Sequence, residues 1–76
     1  MNKIMFFAHL RDAAGEFINM EAAGKTVAQL KAEVAEKYSL QNIETVMTAI
    51  NEEFAGNEEI IQDGDVIAFI PPVSGG

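Results

Sequence analysis

GKTVAQLKAEVAEKY, residues 24–38, carries the clear helical period of this chain. Thr26 stands where an N-cap belongs, and Gln29 three residues later completes a T-x-x-Q capping box. Val27, Leu30, Val34 and Tyr38 recur at helical spacing and form one apolar stripe. Glu33 and Lys37 stand at i, i+4 on the polar side, where such a pair supports a helix by a few tenths of a kcal/mol. Ala28, Ala32 and Ala35 raise helix propensity and make a surface able to approach a sheet closely. One amphipathic helix needs a covering layer, so the segments on either side must supply strands.

They do. Before the helix, KIMFFAHL (3–10) is a short apolar run that reads as a strand. RDAAG (11–15) reads as a helical turn ended by Gly15, and EFINMEA (16–22) as a second short strand. After the helix, SLQNIE (39–44) is a loop, and a strand is expected over Val46–Asn51, turning near Asn51–Glu53. Gly56 and Asn57 signal a further turn, followed by a short edge segment at Glu59–Ile61. Asp63, Gly64 and Asp65 make a tight turn, and VIAFI (66–70) is the last strand. Pro71 and Pro72 stop it, since neither can donate to a ladder. Strand, strand, helix, strand, short strand, strand is an α+β order that resembles the β-grasp, or ubiquitin-like roll. That fold would be a mixed sheet of four to five strands packed on one main helix, with the first and last strands side by side at its centre.

The 76 residues make one domain, and 49% of them are hydrophobic, enough for a real core. The expected division is a β-grasp domain over 1–72 and a flexible Gly-Gly tail over 73–76. There is no cysteine, which excludes disulfides, thiolate nucleophiles and cysteine-bound metals. The net charge of −7 repels phosphate backbones and argues against nucleic-acid binding. It either favours partners with basic surfaces or simply keeps a small protein soluble. MNKIMFFAHLRD at the start is too short an apolar stretch, broken by His9 and Arg11, for a signal peptide, and no run is long enough to span a membrane. The expectation is a soluble, cytoplasmic protein.

The strands carry an anomaly. A sheet covered by one helix should be apolar on one face only. Here the last strand is apolar on both, with Val66, Ala68 and Ile70 on one side and Ile67 and Phe69 on the other. The first strand sets Met5 and Phe7 opposite Ile4 and Phe6. Either loops and the short helix cover the second face, or it docks a partner. In the docking reading Phe7 and Phe69 are the anchors, with Ile67 and Met5 beside them.

No side chain stands out as reactive. His9 is the only histidine and has no partner at catalytic or metal-ligand spacing, so no metal site is expected. Glu52, Glu53, Glu58 and Glu59 read as a solvated face, Ser74 as a small polar tail residue, and Gly15, Gly24, Gly56 and Gly64 as isolated turn or cap residues. One reactive group remains, the α-carboxylate of Gly76. A carboxylate is a poor electrophile and must be activated, for instance as an acyl-adenylate, before sulfur or an amine attacks it. Gly75 and Gly76, lacking Cβ atoms, can thread a narrow channel. Pro71 and Pro72 stiffen the base of the tail and lower the entropy lost on insertion. The six residues from Pro71 to Gly76 reach at most ~20 Å.

Taken together, FFAHLRDAAG, TVAQLKAEVAEKY, TAINEE and DGDVIAFIPPVSGG resemble the MoaD family, the sulfur-carrier small subunits of molybdopterin synthase, over essentially the whole chain. PPVSGG after a DGD turn and an apolar strand is the most specific part. The resemblance implies that a ubiquitin-activating-type enzyme consumes ATP to adenylate Gly76, and that a sulfur-donor enzyme converts the adenylate to a thiocarboxylate. The tail then enters the large subunit, and sulfur passes to cyclic pyranopterin monophosphate to build the dithiolene of molybdopterin. The carrier is expected to bind no cofactor itself and to contribute no catalytic side chain, within a heterotetramer of two small and two large subunits. Pro71, Pro72, Val73, Ser74, Gly75 and Gly76 match the family's tail, and Phe7 and Phe69 fall on strands the family uses for docking. Arg11, in the LRD segment, either pairs with a partner or serves as a cap or solvated residue. Three other readings stay open: a ubiquitin-like modifier joined through Gly76 to lysine, a sulfur carrier for thiamine synthesis, and an interaction domain with an idle tail.

Overall fold

The structure, a computed structural model, describes residues 1–72. In chain order the elements are β1 (Asn2–Phe6), α1 (Leu10–Ala14), β2 (Phe17–Met20), α2 (Val27–Tyr38), a 3-10 turn (Ile43–Thr45), β3 (Met47–Ile50), β4 (Glu53–Ala55) and β5 (Val66–Ile70). The strands form one five-stranded sheet in the order β2-β1-β5-β3-β4. β1 and β5 run parallel at its centre, and the other neighbours are antiparallel. This is the expected β-grasp, with first and last strands adjacent.

The helix begins as its sequence dictates. Gln29 N–H donates to Thr26 Oγ1 at 3.2 Å, and Thr26 N–H donates to Gln29 Oε1 at 2.8 Å, so both arms of the capping box are made. It ends at Ser39, whose φ of 56° is left-handed, with Leu40 N–H reaching back to Ala35 O at 2.9 Å. Val27, Leu30 and Val34 are fully buried, while Ala28 and Ala32 face solvent. Lys31 instead lies on the covered side, only 8% exposed, its ammonium 3.4 Å from Asn57 Oδ1. Glu33 pairs with Lys25, not with Lys37, and the Lys37 ammonium lies 5.7 Å from the Tyr38 ring centre.

Between α2 and the sheet sit Ile4, Phe6, Leu30, Val34, Ile67 and Phe69, with Leu10 and Ile61 closing the ends. Phe6 is the hub, its ring centre 6.0 Å from that of Phe69 and 6.1 Å, edge-on, from that of Tyr38. Asn2 is a buried polar clamp. Its Nδ2 donates to Gln62 O (2.8 Å) and Asp65 O (3.0 Å), and its Oδ1 accepts from Ala22 N–H (3.1 Å). These bonds tie the start of β1 to the loop that launches β5.

The region after β3 departs from expectation. The short strand is β4 at Glu53–Ala55, paired with β3, whereas Glu59–Ile61 supplies only a bridge between Ile60 and Thr26. The cause is the turn. Asn51 and Glu52 both take left-handed angles, φ 50° and 71°, and so close a two-residue hairpin without the glycine that usually announces one. The turn falls where the sequence places it, near Asn51–Glu53; the departure is the strand after it, which starts at once and ends before Gly56. Gly15 ends α1 as expected, at φ 90°.

Candidate functional site

The strand register fixes which side chains share the sheet face turned away from α2. Ile4 stands opposite Ile67, and Phe6 opposite Phe69. All four are 0–1% exposed beneath the helix. Alternation along a strand then turns Met5, Val66, Ala68 and Ile70 outward. Across the sheet Phe17 pairs with Met5, Met5 with Ala68, Ala68 with Ala49, and Ala49 with Phe54. One outward row therefore crosses every strand. A second row lies next to the tail: Ile70 opposite Met47, with Phe7 beside them, its N–H donating to Phe69 O at 3.2 Å.

Two anchors expected on this face are therefore misplaced. Phe69 and Ile67 are fully buried and present nothing to a partner. The alternation within each strand is as expected, but the parallel β1–β5 register pairs Phe69 with Phe6, so it cannot share a face with Phe7. The outward set is larger than expected and includes residues that strand alternation alone did not single out: Phe17, Met47, Phe54, Val66, Ala68 and Ile70. Phe7, Phe17, Met47, Phe54 and Val66 are five of the seven exposed large hydrophobic side chains among the described residues. No element among the described residues lies over them. That concentration is a surface built to be covered.

The face is hollow at its centre. A concavity of about 490 Å³ is lined by Met5, Phe7, Asn51, Glu52, Val66, Ala68 and Ile70. Lys3, opposite Val66 in the register, lies outside its lining, with the ammonium 4.4 Å from the Phe17 ring centre. Arg11 is exposed on α1, 3.6 Å from Glu16, and does not line the hollow. Pro71 is buried and Pro72 exposed. They border a polar depression with His9, Gln41, Asn42 and Thr45. The described chain thus ends, at Pro72, close beyond Ile70 and its neighbours Phe7 and Met47. Val73, Ser74, Gly75 and Gly76 lie outside the described residues.

The groups with displaced pKa do not line the hollow. Burial pulls Lys31 below the usual lysine range, partly opposed by Glu44. Hydrogen bonds to Asp63 and Glu21 raise the Met1 ammonium, and the same contact lowers Asp63. Among the described residues no group of three or more His, Cys, Asp or Glu is placed to hold a metal. No helix there is long and apolar enough to cross a membrane.

Comparison with known proteins places this architecture. Residues 4–76 match the ThiS family. The chain belongs to the ThiS family. Among relatives of this ThiS-family chain, the molybdopterin synthase sulfur carrier subunit of Haemophilus influenzae is 33% identical, with both chains covered in full. The small archaeal modifier protein 1 of Methanosarcina acetivorans superposes with a TM-score of 0.78 at 27% identity, covering 99% of this chain and 95% of that one. Subunit 1 or 2 in a complex of the Helicobacter pylori molybdopterin-converting factor superposes at 0.72 with 28% identity, covering 99% and 97%. The resemblance carried by the sequence motifs and the fold class both stand.

Proposed function

We propose that this ThiS-family chain is a sulfur carrier, the small subunit of a molybdopterin synthase, with Gly76 as the carrier group. The observation that carries the reading is the uncovered apolar face that ends beside Ile70, directly before Pro71 and Pro72. Family membership and the full-length match to a curated sulfur carrier support it.

The chemistry then belongs to the tail. On an activating enzyme the Gly76 carboxylate attacks the α-phosphorus of ATP, releasing pyrophosphate and forming an acyl-adenylate. Sulfur from a donor enzyme, at the sulfide level, attacks the acyl carbon and displaces AMP, leaving a thiocarboxylate in which sulfur has replaced one oxygen. The carrier docks its outer face on the large subunit. Four residues span at most ~13–14 Å, a reach sufficient to bring Gly76 into a neighbouring active site. There the thiocarboxylate sulfur attacks an oxygen-bearing carbon of cyclic pyranopterin monophosphate and displaces that oxygen. Water hydrolyses the resulting thioester to return Gly76 as its carboxylate. A second carrier replaces the oxygen on the neighbouring carbon in the same way to complete the dithiolene. The large subunit supplies the catalytic side chains. A heterotetramer of two small and two large subunits suits one outer face per carrier.

The test is intact-mass spectrometry after incubation with the activating enzyme, ATP and a sulfur source. The mass should rise by the difference between sulfur and oxygen, and a chain lacking Gly76 should not change. No gain in the full chain contradicts the reading. The likeness to the archaeal modifier supports a second reading, conjugation through Gly76 to lysine. Isopeptide-linked targets recovered by pull-down would favour it.

A further inference from the structure

The hollow in the outer face holds one charged side chain. Of its lining residues, Met5, Phe7, Val66, Ala68 and Ile70 are apolar, Asn51 is an amide, and Glu52 is a carboxylate at the end away from the tail. Asn51 is explained by the fold. Its Oδ1 accepts from Val66 N–H at 3.0 Å, and its Nδ2 donates to Asp65 Oδ1 at 2.8 Å. Asp65 is held from the other side by Gln62 N–H at 2.9 Å. Glu52 has no such account. It occupies the second position of the hairpin turn at φ 71°, a left-handed site that favours glycine. Among the described residues its side chain makes no hydrogen bond or ion pair. A side chain is thus kept at a strained position where the turn alone would take glycine. Strain of this kind persists where a function needs the residue.

The shape and charge of the hollow define its occupant. An apolar trough with one carboxylate at its end suits a long side chain with an alkyl stem and a cationic tip. A second copy of this chain is a poor occupant, because it carries the same net charge of −7. Resting on the docking function proposed above, we propose that the large subunit lays a lysine or arginine side chain along the trough. Its stem covers Met5 and Ala68, and its cation pairs with Glu52. Glu52 is then a specificity residue of the interface, distinct from the apolar contact that supplies area. The apolar rim excludes water from the pair and makes it sensitive to which residue the partner offers.

The experiment measures binding of the wild-type chain and of E52Q, E52K, E52G and A68D to the large subunit of the same organism's molybdopterin synthase. Isothermal titration is run at low and physiological salt, with a thermal melt of each variant. E52Q should bind about tenfold more weakly and show a flatter salt dependence, and E52K should lose more. E52G should lose as much as E52Q while melting at a higher temperature, because glycine relieves the left-handed strain. That split separates a binding role from a structural one. Wild-type affinity in E52Q and E52K, with A68D impaired, overturns the cation pairing and leaves docking through this face intact. Wild-type affinity in A68D as well overturns the docking reading, and the pairing with it.

Discussion

Phe7 and Phe69 are two phenylalanines on central strands, and the register assigns them opposite fates. Phe69 is fully buried with its ring centre 6.0 Å from that of Phe6. Truncating such a ring to alanine costs roughly 3–5 kcal/mol, from lost transfer energy and the cavity left behind. At ~0.05–0.15 kcal/mol per residue, the 76 residues give a total stability of about 4–11 kcal/mol. Phe69→Ala therefore removes roughly a quarter of the stability at best and all of it at worst. Phe7 is 39% exposed on the outer face, and Phe7→Ala should cost no more than about 1 kcal/mol. Urea denaturation followed by circular dichroism separates the two. With a slope near ~1 kcal/mol/M for a domain this small, Phe69→Ala should lower the midpoint by ~3 M or more, and Phe7→Ala by less than about 1 M. Binding to the large subunit should follow the reverse order among folded variants, with Phe7→Ala impaired. Equal midpoint losses, or a larger loss for Phe7→Ala, would refute the assignment of faces on which the docking surface rests.

Other substitutions probe the fold more locally. Thr48 is buried, and its hydroxyl has no partner among the described residues. Thr48→Val should raise stability by ~1 kcal/mol, read as a melting temperature higher by ~4–8 °C. Ser39→Gly should stabilise by roughly 0.5–1 kcal/mol, since glycine takes the left-handed cap at φ 56° without penalty. An unchanged or lower melting temperature contradicts that reading. The pKa of Lys31 is lowered by burial, so its charged form opposes folding. Stability should therefore climb as pH rises through its folded-state pKa toward the ordinary 10.5, and Lys31→Met should flatten that climb. Asp63 moves the other way. Its pKa is lowered by the hydrogen bond from the Met1 ammonium. Its contribution is present above 3.8 and is lost as pH falls through the folded-state value. Asp63→Asn should remove that acid-side dependence from a pH series of denaturation midpoints.

Local chemistry made most of the fold legible. The capping box, the apolar stripe of α2, the Gly15 stop and the proline end of β5 each act within a few residues, so their spacing in the sequence carries them. What escaped depends on contacts far apart in the chain. The face occupied by Phe69 is set by the parallel pairing of β1 with β5, across more than 60 residues, and no local period encodes it. The turn near Asn51–Glu53 was legible, but β4 directly after it was not, because Glu53, Phe54 and Ala55 make too short a run to show a strand period. Buried Asn2 and Lys31 hid because polar residues are read as surface until their partners, Gln62, Asp65, Ala22 and Asn57, are brought to them. The tail motif was legible in the sequence, and its root is where the structure places the apolar face.

In the proposed reaction, sulfur carried on Gly76 is delivered to a pterin through docking of the outer face. A single-turnover reaction tests it most directly. Thiocarboxylated chain is mixed with the large subunit and cyclic pyranopterin monophosphate, and molybdopterin is quantified together with the mass of the recovered carrier. Dithiolene should form, with the carrier returning to its carboxylate mass in a ratio of two carriers per molybdopterin, and A68D should carry sulfur without delivering it. A thiocarboxylated chain that binds the large subunit yet yields no molybdopterin would contradict it.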